Sequence, residues 1–266
     1  SIIRNNPQLN FIKATLCLSV LVSSRFIVYY YVKCVIFPAA CMLIPECIMG
    51  IILFVLGLPG SGKSAAARHI KSFARRKKFQ ARRFKDYTIL NKMFQKDMEA
   101  KRFRSTRRQG YDGFDVLDFN VFDEALQKLH HDILRRKKLA DNSRELLIIE
   151  FSRDDYCEAL SFFSSLGLRY AHFLFINSEI LSCKARIKAR ADHPRTLDDR
   201  YVSDYIFEAY YKRDQQQYLK TAIQFNQRFG IPRDHIHVIH NGSDVTVQQF
   251  FQEVEAFASD ILKIKV

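Results

Sequence analysis

Tryptophan is missing from this chain of 266 residues, and beyond its opening stretch cysteine is almost missing too. The first absence leaves the core well supplied, because 23 Phe and 12 Tyr carry large apolar surfaces. The second excludes a disulfide-stapled scaffold. Cys17, Cys34, Cys41 and Cys47 precede Met49, whereas only Cys157 and Cys183 follow it, a usage that points to a reducing, cytoplasmic setting without structural disulfides. No repeat or low-complexity tract interrupts a composition that is 48% hydrophobic and 26% charged, which is enough chain for a sizeable globular core. Acidic residues are scarce, 28 against 42 Lys and Arg, for a net charge of +14. That balance favours polyanionic partners: nucleotides, nucleic acid or an anionic membrane face. The positive charge comes in runs, "RRKK" at 75–78, "ARRFK" at 81–85, "KRFRSTRR" at 101–108 and "RRKK" at 135–138, each of which also reads as the solvated end of a helix.

An uninterrupted apolar run of about 20 residues, the length of a membrane-spanning helix, is lacking as well. The stretch "FIKATLCLSVLVSSRFIVYYYVKCVIFPAACMLIPECI" is cut by Arg25 and Lys33, and no A-x-A-like cleavage site stands out in it. Residues 1–48 therefore read as an extension of the reading frame or a membrane-leaning tail, and residues 49–266 as the folded domain. A membrane is a partner only if the first 48 residues belong to the native protein.

What the chain does have, from Met49 on, is alternation. "IILFVL" (51–56) is a continuous apolar run suited to a strand buried on both faces. "LLIIEF" (146–151), "AHFLFI" (171–176) and "IHVIH" (236–240) read as further strands, and "FQARRFK" (79–85) as a strand towards the sheet edge. Helices are expected from Lys63 and over 87–103, 120–138, 153–166, 178–192 and 201–229. A closing helix sets Val247, Phe250, Phe251, Val254, Phe257 and Ile261 at helical spacing. Residues 105–115, with two glycines, read as a loop. Strands alternating with helices imply an α/β fold with a mostly parallel sheet covered on both faces.

Between the first strand and the first helix stands "GLPGSGKS" (57–64), a full G-x-x-x-x-G-K-[ST] pattern. Gly57, Gly60 and Gly62 let backbone N–H groups close on an anion, and the following helix adds its positive pole. In this pattern Lys63 reaches the β- and γ-phosphates and the Ser64 hydroxyl ligates Mg²⁺.

With Pro59 second after the first glycine, the loop resembles that of the nucleoside- and nucleotide-kinase (adenylate-kinase-like) group of P-loop proteins. That resemblance implies a three-layer P-loop NTPase fold with a short arginine-bearing lid and a helical substrate-side insertion. It also implies ATP and Mg²⁺ as cofactors, with Gly57, Pro59, Gly60, Ser61, Gly62, Lys63, Ser64 and Ala65 around the phosphates. "CKARIKAR" (183–190) sets Arg186 and Arg190 on one helical face, and Arg195 follows in a Pro-broken loop. The group carries such arginines on a lid that closes over the phosphates, where cations stabilise the charge of the transferring group. The lid lacks the four cysteines of a zinc-bearing form. "HVIHNGSDVTVQQF" (237–250) is similar to the group's C-terminal element, which implies Asn241 and Gly242 beside the base. Glu150, closing an apolar strand in "LLIIEFSR" (146–153), stands where such enzymes place a carboxylate that assists Mg²⁺ or takes the acceptor's proton. "E-x-S-R" also resembles the Glu–Arg pairing of deoxynucleoside kinases, with Arg153 on phosphate or acceptor. Asp86 follows the second strand, a place where kinases of small alcohols and nucleosides bind substrate.

Arg104, Arg107 and Arg108, ahead of Asp112, Asp115 and Asp118, suit an acceptor that already carries phosphate. Singly, each also reads as a surface charge. The expected function is transfer of the γ-phosphoryl of ATP to an anionic small molecule or nucleotide. The rival is an ATP-binding module that docks on RNA or another polyanion through the basic runs.

Overall fold

The computed structural model describes residues 50–97, 99–137, 144–194, 198–211 and 218–263. The expectations for residues 1–48 and for Arg195 lie outside the described residues, as do the side chain of Arg108 and the middle of the helix expected over 201–229.

Five parallel strands form the central sheet, in the order β2-β5-β1-β6-β7. They are β1 (Ile51–Gly57), β2 (Gln80–Lys85), β5 (Glu145–Glu150), β6 (His172–Asn177) and β7 (Ile236–His240). β1 lies at the centre, and every one of its residues is buried, which is why its sequence shows no polar alternation. Successive side chains point to opposite faces. Ile51, Leu53 and Val55 pack with Ala66, Ile70 and Phe73 of α1 (Lys63–Arg76) and with Phe250, Val254, Phe257 and Ile261 of the closing helix α8 (Val247–Lys263). Ile52, Phe54 and Leu56 pack on the other side with Leu126, Leu129 and Ile133 of α3 (Asn120–Lys137), Leu160 of α4 (Tyr156–Ser161) and Phe225 of α7 (Tyr218–Phe229). These are the three layers expected. Among the described residues, no helix is long and apolar enough to cross a membrane.

Register carries the fold to the site. Val55 and Lys85 both pair with Glu150 across the sheet, and Gly57 pairs with Ile176. The C-terminal ends of β1, β2, β5 and β6 therefore reach one edge together, and ligands of open α/β sheets bind outside that edge.

Between β2 and β5 stand α2 (Asp86–Lys96) and α3, as the substrate-side insertion requires. The helix expected over 87–103 stops at Lys96, because the Asp97 carboxylate turns to accept the Phe103 N–H, at 3.0 Å. Residues 105–115 are more than a loop. Phe103–Ser105 (β3) and Phe114–Val116 (β4) pair antiparallel, in strands too short to show an alternating pattern. Asp155 caps α4 by accepting the Glu158 N–H, so the helix expected from 153 starts at Tyr156. It gives way after Ser161 to short 3-10 turns around Gly167. Among the described residues, the 201–229 segment holds two helices, α6 (Asp204–Ala209) and α7. The remaining helix, α5 (Ile180–Asp192), carries Arg186 and Arg190.

Candidate active site

The turn after β1 is shaped by backbone. At Gly60 φ is 83° and a Cβ would lie 2.4 Å from the Cys183 carbonyl oxygen; at Gly62 φ is 107° and a Cβ would lie 2.5 Å from Asn241 Nδ2. No larger residue fits either position. The Ser61 N–H closes the turn on the Leu58 carbonyl at 3.1 Å, and the Gly57 N–H donates to the Tyr156 hydroxyl at 2.8 Å. α1 starts at Lys63, so its unpaired N–H groups and positive pole face the same space.

Lys63 is 6% exposed, and its Nζ donates to the Leu58 carbonyl at 2.6 Å. Burial pulls its pKa down to about 8, against the opposing charge of Glu150. In the unfolded chain the amine titrates near 10.5, so between these values the folded protein binds fewer protons. The penalty for burying the charged amine is present below about pH 8 and is relieved as the pH rises from there. A bound phosphate favours the charged form. The expected result is a nucleotide affinity that weakens as the pH rises through about 8, with proton uptake on binding. In Lys63→Met this dependence should vanish. Calorimetry in two buffers of different ionisation enthalpy checks both, and a pH-independent affinity in the unsubstituted protein would overturn the assignment.

Ser64 and Glu150 meet at the same edge. Ser64 Oγ donates to Glu150 Oε1 at 2.5 Å, and Arg83 donates to Glu150 Oε2 from Nε at 2.8 Å and Nη2 at 2.5 Å. Two hard oxygen donors beside a phosphate loop fit Mg²⁺, which takes one or two protein oxygens and completes its shell with water and substrate phosphate. Arg83 also reaches Asp198 through Nη1, at 3.1 Å. Asp198 is gripped by Arg68, at 2.5 Å, and by Lys85 as well. Burial alone would raise the Asp198 carboxyl, but the Lys85 bond and the Arg83 charge hold it down at about 2.

The arginines expected on a lid take different places. Arg186 donates through Nη1 to Ser178 Oγ at 2.9 Å and to the Asn241 carbonyl at 2.8 Å, and through Nη2 to the Gly242 carbonyl at 2.9 Å. It borders the cleft while shaping the loop expected beside the base. Asn241 Nδ2 in turn donates to the Ser61 carbonyl at 2.7 Å, joining that loop to the phosphate loop. Arg190 also borders the cleft. Its buried Nε has no partner among the described residues, and burial lowers its pKa in spite of Asp199.

The cleft has a volume of about 290 Å³ and runs from Pro59, Gly60, Gly62 and Ala65 to a second end lined by Tyr87, Leu90, Phe114, Val116, Phe122 and Tyr211. Asp86 and Arg153 also line it. Arg153 Nη1 donates to Asp86 Oδ2 at 2.5 Å, and Nη2 to the Phe122 carbonyl at 2.6 Å. Arg153 is 2% and Asp86 7% exposed. Burial pushes the Asp86 carboxyl up against the pull of Arg153.

Lys63, Ser64, Ala65, Asp86, Glu150, Arg153, Arg186 and Arg190 thus border one cleft with Pro59, Gly60 and Gly62, while Gly57 and Ser61 lie outside its lining. Asn241 and Gly242 bear on it through the contacts just given. Arg104 and Arg107 do not line it. Arg104 is bonded to buried Asp115 at 2.8 Å and Arg107 lies 3.7 Å from Asp112, because each sits beside an acid of its own hairpin or its connecting turn. Both were expected to bind the phosphate of an acceptor, and both stand outside the lining of this cleft. Other basic-run residues are also paired: Arg82 with Glu145 and Arg102 with Glu124. Sequence reading missed Arg83, Lys85, Tyr156 and Asp198. A signal was present for two of them: in "ARRFK" the two-residue period of a strand puts Arg83 and Lys85 on one face, beside the strand that ends in Glu150.

No family model matches the chain, and no curated protein matches it. Solved structures do. The chain is similar to the APS kinase of Mycobacterium tuberculosis in complex with AMPPNP and APS, at 14% identity, over 81% of this chain and 96% of that one, with a TM-score of 0.43. It is similar to a gluconokinase from Sinorhizobium meliloti at 15% identity, over 82% and 96%, with a TM-score of 0.43. It is similar to thymidylate kinase from Ehrlichia chaffeensis at 10% identity, over 80% and 99%, with a TM-score of 0.42.

Proposed function

We propose that this protein is an ATP-dependent phosphotransferase that moves the γ-phosphoryl group to a hydroxyl of a small acceptor. The observation that carries the reading is the contact of Ser64 with Glu150, 2.5 Å apart, beside buried Lys63 and across the cleft from an apolar end that holds an acid. Ser64 and Glu150 would hold Mg²⁺, which neutralises phosphate charge and fixes the phosphates in place. Lys63 pairs the β- and γ-phosphates. Arg190 meets the charge that builds on the transferring group. Asp86, held by Arg153, accepts the hydroxyl hydrogen of the acceptor. The acceptor oxygen forms the new P–O bond, the bond from γ-phosphorus to the β,γ-bridging oxygen breaks, and ADP leaves with its electron pair. The hydroxyl proton passes to Asp86 and then to solvent.

The direct test follows ³²P from γ-labelled ATP into a panel of nucleosides, sugars and their phosphates. Label in a phosphate ester, lost in Glu150→Gln by about 10²–10³ in rate with ATP affinity nearly kept, is the expected outcome. Label that never leaves ATP except as inorganic phosphate would overturn the reading.

The basic runs motivate docking on RNA as the second reading, and the internal pairing of Arg82, Arg102, Arg104 and Arg107 reduces the charge those runs can offer. RNA affinity that falls steeply with salt would favour it.

A further inference from the structure

The far end of the cleft is unlike the rest of a basic protein. Its walls are Tyr87, Leu90, Phe114, Val116, Phe122 and Tyr211, and Tyr87 lies over Phe114 with ring centroids 5.5 Å apart and planes 10° from parallel. Buried beside it are Asp86 and Arg153, with the Arg153 guanidinium 4.9 Å from the Phe122 ring, and they are bonded to each other at 2.5 Å, so the pair carries no net charge.

The remaining cations that border the cleft, Arg190 apart, are engaged elsewhere. Arg68 and Lys85 grip Asp198, Arg186 grips the carbonyls of Asn241 and Gly242, and Arg200 is paired with Asp112. Lys63 sits in the phosphate loop, and Arg190, whose buried Nε has no partner among the described residues, is the cation that the phosphotransferase reading gives to the transferring group. A phosphate brought to the aromatic end would lose its water without gaining an unshared cation beyond the Arg190 that the transferring group uses, and an unpaired buried charge is strongly unfavourable. An apolar ring gains by the same transfer, both from area removed from water and from stacking on aromatic faces.

We infer that the acceptor, on the phosphotransferase reading above, is an uncharged hydroxyl compound with an apolar or aromatic ring, and that this end of the cleft discriminates against acceptors already carrying phosphate. The ring lies among Tyr87, Phe114 and Phe122, and the hydroxyl faces Asp86.

The test is calorimetric titration of the full chain with Mg²⁺ and AMPPNP held saturating, so that no probe enters the nucleotide end. The probes are pyridoxine and pyridoxine 5′-phosphate, thymidine and thymidine 5′-monophosphate, and glucose as a hydroxyl compound without an apolar ring face. An uncharged ring compound is expected to bind about tenfold or more tightly than its phosphate ester, and more tightly than glucose. Tyr87→Ala should weaken that binding about fivefold or more with AMPPNP affinity unchanged. Ester binding equal to or tighter than that of the ring alcohol overturns the inference and leaves the phosphotransferase reading standing. Failure of every uncharged ring probe while AMPPNP binds has the same meaning. Failure of AMPPNP itself to bind overturns both.

Discussion

Lys63→Ala should reduce phosphoryl transfer by about 10³-fold or more while leaving the protein folded and at least as stable as before. The two halves of this expectation have one origin. Lys63 is 6% exposed and burial disfavours its charged form, pulling its pKa down to about 8. The folded protein without nucleotide gains little from that charge, and alanine relieves the desolvation. The transition state, in contrast, spreads negative charge over the transferring group and depends on fixed cations for most of its stabilisation. The loop keeps its shape because backbone defines it: the Gly60 and Gly62 conformations and the Ser61 to Leu58 bond involve no lysine atom. Activity and thermal unfolding measured on the same sample decide the matter. Full activity, or lost activity that merely follows lost folding, would remove the phosphate loop from the mechanism.

The largest effect on stability is expected at Arg153. Replacing it with methionine leaves Asp86 buried without its partner and frees the Phe122 and Ser152 carbonyls to which Arg153 donates at 2.6 Å each. Breaking a buried pair by removing one member costs about 3–5 kcal/mol, and stacking against Phe122, 4.9 Å from the guanidinium, is partly lost as well. The variant also has a pH signature. Without Arg153 the buried Asp86 carboxyl prefers its proton more strongly than the unfolded chain does, so the folded variant binds the extra proton and regains stability as the pH is lowered. Replacing both residues together, Asp86→Leu with Arg153→Met, should restore much of the loss, since an apolar pair of similar volume is often as stable as a buried ion pair. Urea unfolding of the two variants at two pH values tests this. A single variant that loses under about 1 kcal/mol would mean that the pair is not a structural support of the cleft.

Much of the fold is written locally. β1 and the middles of β5 and β6 are apolar because they are covered on both faces, and such runs are visible without knowing their neighbours. α8 announces itself through a stripe at helical spacing. The hairpin of β3 and β4 does not, because three residues per strand cannot show a period. Likewise, the end of α2 depends on Asp97 reaching forward to Phe103, a contact no propensity contains. The phosphate loop is legible because its function demands glycine at fixed positions. The arginines are not, because a guanidinium looks the same in sequence whether it meets a phosphate or a neighbouring acid. Arg104 finds Asp115, and Arg153, which the sequence offers as a partner for Glu150, finds Asp86 instead. Glu150 is held by Arg83, a pairing set by strand order, which composition and spacing leave open.

Arg83 divides one guanidinium between two carboxylates, Nε and Nη2 on Glu150 and Nη1 on Asp198. The two grips are therefore linked quantities. Whatever draws Asp198 away from Arg83 changes the charge felt by Glu150, and whatever ligates Glu150 changes how firmly Arg83 holds Asp198. The coupling free energy is the same in both directions, so the affinity of the metal seat proposed at Glu150 and the resting place of residues 198–200 make up a single thermodynamic cycle with Arg83 at its corner.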